Sequence, residues 1–146
     1  MATWAETFVG ARVYNSGAET ITTSTNTQLS FDSERYDTDT IHSTSTGTNS
    51  RLTATTAGKY LIVGCVQWEA NGTGTRIVSI YLNGATFIGR VRVDPGNVVI
   101  VQEVVTIYDL AATDYVELNV YQVSGGDLNV DAVANHSPEF MMSRIG

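Results

Sequence analysis

Apolar and polar residues alternate along most of this chain in short runs separated by turn residues. No stretch of ten or more residues carries the i, i+3, i+4, i+7 spacing of an amphipathic helix without Gly or β-branched runs. The alternation predicts strands instead, beginning with residues 8–14 and a short extended piece at 19–23. Residues 28–34 read as one strand, with Leu29 and Phe31 on one side and Ser30 and Asp32 on the other. Residues 36–50, rich in Asp, Ser, Thr and Gly, read as a long surface excursion. Asn83-Gly84 between residues 75–82 and 86–93 is a type I′ hairpin signal, because both central residues tolerate positive φ. Later strands are expected at 98–108, 115–123, 128–134 and 139–145.

The strand at 59–69 stands apart. Its even side carries Tyr60, Ile62, Gly64, Val66 and Trp68, and its odd side Leu61, Val63, Cys65 and Gln67. Both faces are apolar, a pattern that a strand wetted on one side avoids. We therefore expect a second sheet on one face and another subunit on the other. Tyr60, Ile62, Val63 and Cys65, with Tyr121 and Met142 from partner strands, are the expected interface residues. The count of about nine or ten strands at short intervals predicts an all-β antiparallel sandwich. A jelly roll is the preferred form, because the last strand can pair beside the first.

Composition narrows the class further. The chain has 146 residues, with 20 Thr, 11 Ser and a single Lys (Lys59). That bias favours β structure. A length of 146 residues fits one domain at residues 8–146 behind a short N-terminal arm, residues 1–7. The formal net charge of −7 argues against electrostatic binding to nucleic acid or an anionic membrane. No apolar run reaches the ~18 residues of a membrane-spanning helix. The N-terminus has neither a basic n-region nor an apolar h-region, so no signal peptide is expected.

The order of landmarks resembles the complement C1q / tumour-necrosis-factor-like jelly-roll superfamily, and its C1q-like branch in particular. The matching residues are Phe8 with Ala11-Arg12, then Phe31-Asp32 and Tyr36-Asp37. The Ala57-Gly58-Lys59-Tyr60 turn leads into the long strand, followed by Leu82-Asn83-Gly84. Leu110 to Asp114-Tyr115-Val116 and the Phe140–Ile145 strand complete the order. Unlike the usual secreted members, the chain shows no collagen-like stalk. Its closing segment Ser137–Gly146 and residues 129–135 look more like C1q-like proteins of bacteriophage virions. The resemblance implies a C1q/TNF-like fold, a homotrimer and a place on the virion surface, as a decoration or a fibre or spike tip. Its partners would be copies of itself, capsid or tail proteins and a host-surface receptor. A receptor-binding tail adhesin and a secreted C1q/TNF-like ligand module are the alternative readings.

Candidate chemistry is sparse, and no enzyme is expected. His42 and His136 fall in polar loops and are expected to be solvent-exposed; His42, Ser43 and Asp39 are too close in a loop to hold a triad's geometry. Cys65 sits mid-strand among apolar residues, as packing rather than as a nucleophile. Asp32, Glu34, Asp37 and Asp39 cluster within eight residues. Solvated acidic surface is the simplest reading, and no cofactor is expected. If Ca²⁺ binds, Asp37 and Asp39 are its first candidates. Arg90 and Arg92, two apart on one strand, share a face and are expected to meet carboxylates such as Glu103 or Glu117. Trp4 in the N-terminal arm is a candidate partner anchor. The hydroxyl-rich residues 38–56 offer no directed polar-plus-aromatic pocket.

Overall fold

The computed structural model describes residues 8–146, all in strands, turns and loops, with no helix among them. Twelve strands form: β1 (Gly10–Tyr14), β2 (Glu19–Ile21), β3 (Thr27–Gln28), β4 (Ser33–Asp37), β5 (Arg51–Thr53) and β6 (Gly58–Trp68), then β7 (Arg76–Leu82), β8 (Thr86–Val93), β9 (Ile100–Leu110), β10 (Tyr115–Gln122), β11 (Leu128–Val130) and β12 (Glu139–Arg144). All pairings are antiparallel and divide into two sheets. In the seven-stranded sheet β9 runs the full length of one edge of β6, and β12 followed by β11 takes the other edge. Beyond them β12 pairs with β1, β1 with β4, and β11 with β2. The five-stranded sheet is centred on β10, with β7 and then β8 on one side and β3 and β5 on the other. The last strand does lie beside the first, as a jelly roll requires.

The expected strand at 28–34 is two strands in different sheets. Leu29 N–H donates to Leu118 O in the five-stranded sheet, Phe31 N–H to Asn49 O, and Ser33 pairs with Tyr14 in the other sheet. Leu29 and Phe31 are both fully buried as the chain crosses between the sheets. The strict alternation there reflects core contact rather than one ladder. The excursion after Asp37 is tied down near its start, where Ile41 is buried. The Asn83-Gly84 turn has φ of 51° and 68°, the left-handed pair that a type I′ hairpin demands.

The even residues of β6 point into the sandwich. Tyr60, Ile62, Val66 and Trp68 join Val78, Ile80, Leu118, Val120, Phe140 and Met142 in the core. Trp68 keeps its indole satisfied by donating Nε1–H to Gln102 Oε1 at 2.7 Å. Arg76 is fully buried beneath the 71–75 turn. It donates to the carbonyls of Asn71, Thr73 and Thr75, and burial pulls its pKa down.

Candidate functional site

Register places the side chains that share the outer face of the seven-stranded sheet. One row across it runs Val105, Val63, Met141, Arg12 and Tyr36. A second runs Ile107, Leu61 and Ser143, and a third Glu103, Cys65, Glu139 and Tyr14. At the β9 edge the face is open and, apart from the exposed Glu103, apolar over residues 101–107: Val101 is 55%, Val105 54% and Ile107 58% exposed. At the β1–β4 side it is ionic. Glu139, 1% exposed, accepts from the Arg12 guanidinium and from Arg35 Nη2 at 2.7 Å. Arg35 also lies 4.0 Å from the Tyr14 ring centroid, and its pairing with Glu139 raises its pKa. A cavity of about 290 Å³ opens beside Arg35 and Glu139, the carboxylate that Arg35 shares with Arg12.

This geometry corrects the expected interface set. Tyr60, Ile62 and Met142 have no exposed surface and belong to the core, because the even face of β6 and its partner Met142 look toward the second sheet. Val63 and Cys65 do lie on the outer face, half-buried. Tyr121 is on the opposite side of the molecule, on the outer face of the five-stranded sheet beside Ile77. Val105 and Ile107, exposed apolar residues of the same face as Val63, fall outside that expected set. Their signal is the apolar odd side of 101–107, broken by Glu103 alone. Trp4 lies outside the described residues.

His42 is buried rather than exposed. Its Nδ1 sits 2.9 Å from Glu34 Oε1 and its Nε2 3.1 Å from Asn49 O, so it closes the 37–50 excursion. His136 is half-buried, 3.0 Å from the Gln67 side chain. Asp37 spends both carboxylate oxygens on the backbone, accepting from the N–H groups of Asp39, Ile41 and His42. Asp39 accepts from the Thr56 hydroxyl. The pair therefore organises a loop, and no group of three or more His, Cys, Asp or Glu stands together as a metal site among the described residues. Burial pushes the Cys65 thiol pKa up, and Glu103 and Glu139 add to the effect.

The arginine pair departs from expectation too. Arg92 reaches Asp94 at 3.6 Å in an exposed pair. Arg90 meets neither Glu103 nor Glu117: its Nε–H donates to Ser79 Oγ at 3.0 Å and its guanidinium stacks 3.8 Å from the Phe87 ring centroid. Glu117 is buried and accepts from Ser50 Oγ, while Glu103 is exposed on the other sheet. With Ser79, Tyr81 and Tyr121, Arg90 lines a cavity of about 240 Å³ on the outer face of the five-stranded sheet.

No protein-family model matches the sequence, and the search of curated proteins found no match. Solved structures do match. An Eiger TNF from S. frugiperda superposes with a TM-score of 0.66 at 10% identity, over 95% of this chain and 93% of that one. Murine APRIL gives 0.68 at 10% identity, over 94% and 99%, and a second APRIL structure gives 0.67 at 11%. With two antiparallel sheets in this strand order and these neighbours across nearly its whole length, the chain has a TNF/C1q-like jelly-roll fold.

Proposed function

We propose that this protein is a non-enzymatic homotrimeric module on the surface of a phage particle, as a decoration or a fibre or spike tip. The observation that carries the assembly is the open apolar strip of Val101, Val105 and Ile107, continued inward by Leu61, Val63 and Met141. It follows β9, a strand at the rim of its sheet. Such a strip invites uncontrolled pairing unless another chain covers it. Two further copies of the same chain are the occupants we assign, in line with the homotrimer that the C1q/TNF-like resemblance implies. The ionic Arg12–Glu139–Arg35 cluster on the same sheet gives that interface a polar border, as interfaces with an apolar centre have.

The virion setting rests on the closing segment Ser137–Gly146 and its likeness to virion C1q-like proteins. An antibody against the recombinant chain should label intact particles, and the chain should co-purify with them. A chain found free in infected lysate and missing from purified particles would remove the virion reading and favour the secreted ligand module. The cavity beside Arg90 favours a second reading, the receptor-binding adhesin, because it lies on the sheet opposite the assembly face.

A further inference from the structure

The cavity on the outer face of the five-stranded sheet is lined by Asn26, Ile77, Ser79, Tyr81, Arg90 and Tyr121. Arg90 is the one formal charge in that lining, and it is held from two directions. Phe87 lies against the guanidinium, and Ser79 Oγ takes the Nε–H. Ser79 is itself buried, so this anchor is part of the sheet and not a mobile side chain. Among the described residues no carboxylate pairs with Arg90, and its two Nη nitrogens have no protein acceptor. Its neighbour Arg92 is offset by Asp94, so a fixed, directional charge remains rather than a diffuse basic patch. Asn119, the register partner of Ser79 on the same face, is 8% exposed and its Oδ1 has no hydrogen-bond partner. A buried acceptor without a donor is uncommon and calls for an explanation.

We propose that this cavity binds a single carboxylated sugar residue, of the hexuronic or sialic type, and so supplies the ligand chemistry of the adhesin reading. The sugar carboxylate sits on the Nη pair of Arg90, whose planar fork matches a carboxylate with two parallel hydrogen bonds. Two phenol rings, Tyr81 and Tyr121, give the apolar surface with polar tips that a sugar ring meets, and Asn26 adds an amide for its hydroxyls. A volume of about 240 Å³ falls below the ~300–1,000 Å³ of drug-sized ligand sites, which suits one ring and not a long chain. The net charge of −7 also works against a densely charged polyanion, leaving one acid group at one fixed guanidinium.

Isothermal calorimetry and ligand-observed NMR on the full chain test this, with digalacturonate and N-acetylneuraminate as probes and lactose and acetate as controls. Saturable binding of at least one sugar acid is expected, weakened at least about tenfold in Arg90→Gln. Arg90→Lys, which keeps the charge but loses the fork, should be weakened too. Tyr121→Ala should weaken the sugar acid and leave any residual acetate binding unchanged. No saturable binding up to tens of millimolar overturns the proposal. So does lactose or acetate binding as tightly as the sugar acids, since either would make the site neutral or a simple anion site. These readouts do not depend on particle association, so the virion reading and this site fail separately.

Discussion

The side chain of Leu118 on β10 fills the volume that a Cβ on Gly64 of β6 would occupy. The two sheets are in direct contact across this pair, and Leu118 is fully buried. Gly64→Ala should therefore force Leu118 off its rotamer and cost about 1–3 kcal/mol of stability. Chemical denaturation measures it, and a smaller loss is expected when Leu118→Val is added to relieve the crowding. An unchanged midpoint for Gly64→Ala would show that the sheets do not meet there.

Asp37 ties the 37–42 turn through three backbone donors. Asp37→Ala should strand those N–H groups and destabilise the protein by about 1–3 kcal/mol. Because its oxygens are engaged by the chain itself, adding Ca²⁺ or a chelator should leave the melting temperature unchanged. A calcium-dependent rise in melting temperature that Asp37→Ala abolishes would instead make the cluster a cation site.

Asp114 has its pKa lowered by hydrogen bonds from the Asn83 side chain and the Ala111 N–H, and Asp32 has its own lowered chiefly by the Ser16 hydroxyl. A carboxylate whose folded pKa lies below its unfolded value stabilises the fold above the ordinary carboxylate range, near pH 4. That contribution disappears as the pH falls through the folded value. Both groups are well solvated, so each effect should be small. Acid titration of stability should show Asp114→Asn losing less than the parent below about pH 4. Parallel acid profiles for the two proteins would contradict it.

Cys65 should react slowly with alkylating reagents at neutral pH, because burial, Glu103 and Glu139 hold the thiol protonated. It shares the outer face with Val63 and Val105, so a neighbouring subunit should shield it further. Val105→Gln with Ile107→Gln changes no charge near the thiol and should speed alkylation. Equal rates in both proteins would place Cys65 outside the interface.

Much of the fold was legible because turns and alternation are local. Asn83-Gly84 demanded its hairpin, and the odd and even sides of 59–69 did form two distinct faces. What alternation cannot tell is which face is inside. Tyr60 and Ile62 looked like interface residues until the second sheet claimed them, while Val63 and Cys65 were left outside. At 28–34 alternation misled for a related reason. Leu29 and Phe31 enter one core while their backbones bond to different partners, and a period of two does not record the change. His42 looked exposed because its partners, Glu34 and Asn49 O, come from either side of the excursion. The arginine pocket was hidden likewise. Ser79, Tyr121 and Asn26 come to share a cavity with Arg90 only through the pairing of β3, β10, β7 and β8, with Asn26 just before β3.

The most direct test of assembly is size-exclusion chromatography with light scattering at micromolar concentration. The predicted mass is about 47 kDa, three times the 15.7 kDa chain. The Val105→Gln, Ile107→Gln protein should run at the mass of one chain with an unchanged far-ultraviolet circular dichroism spectrum. A parent protein at 15.7 kDa under the same conditions would contradict the homotrimer and leave the apolar face of β6 and β9 uncovered in solution.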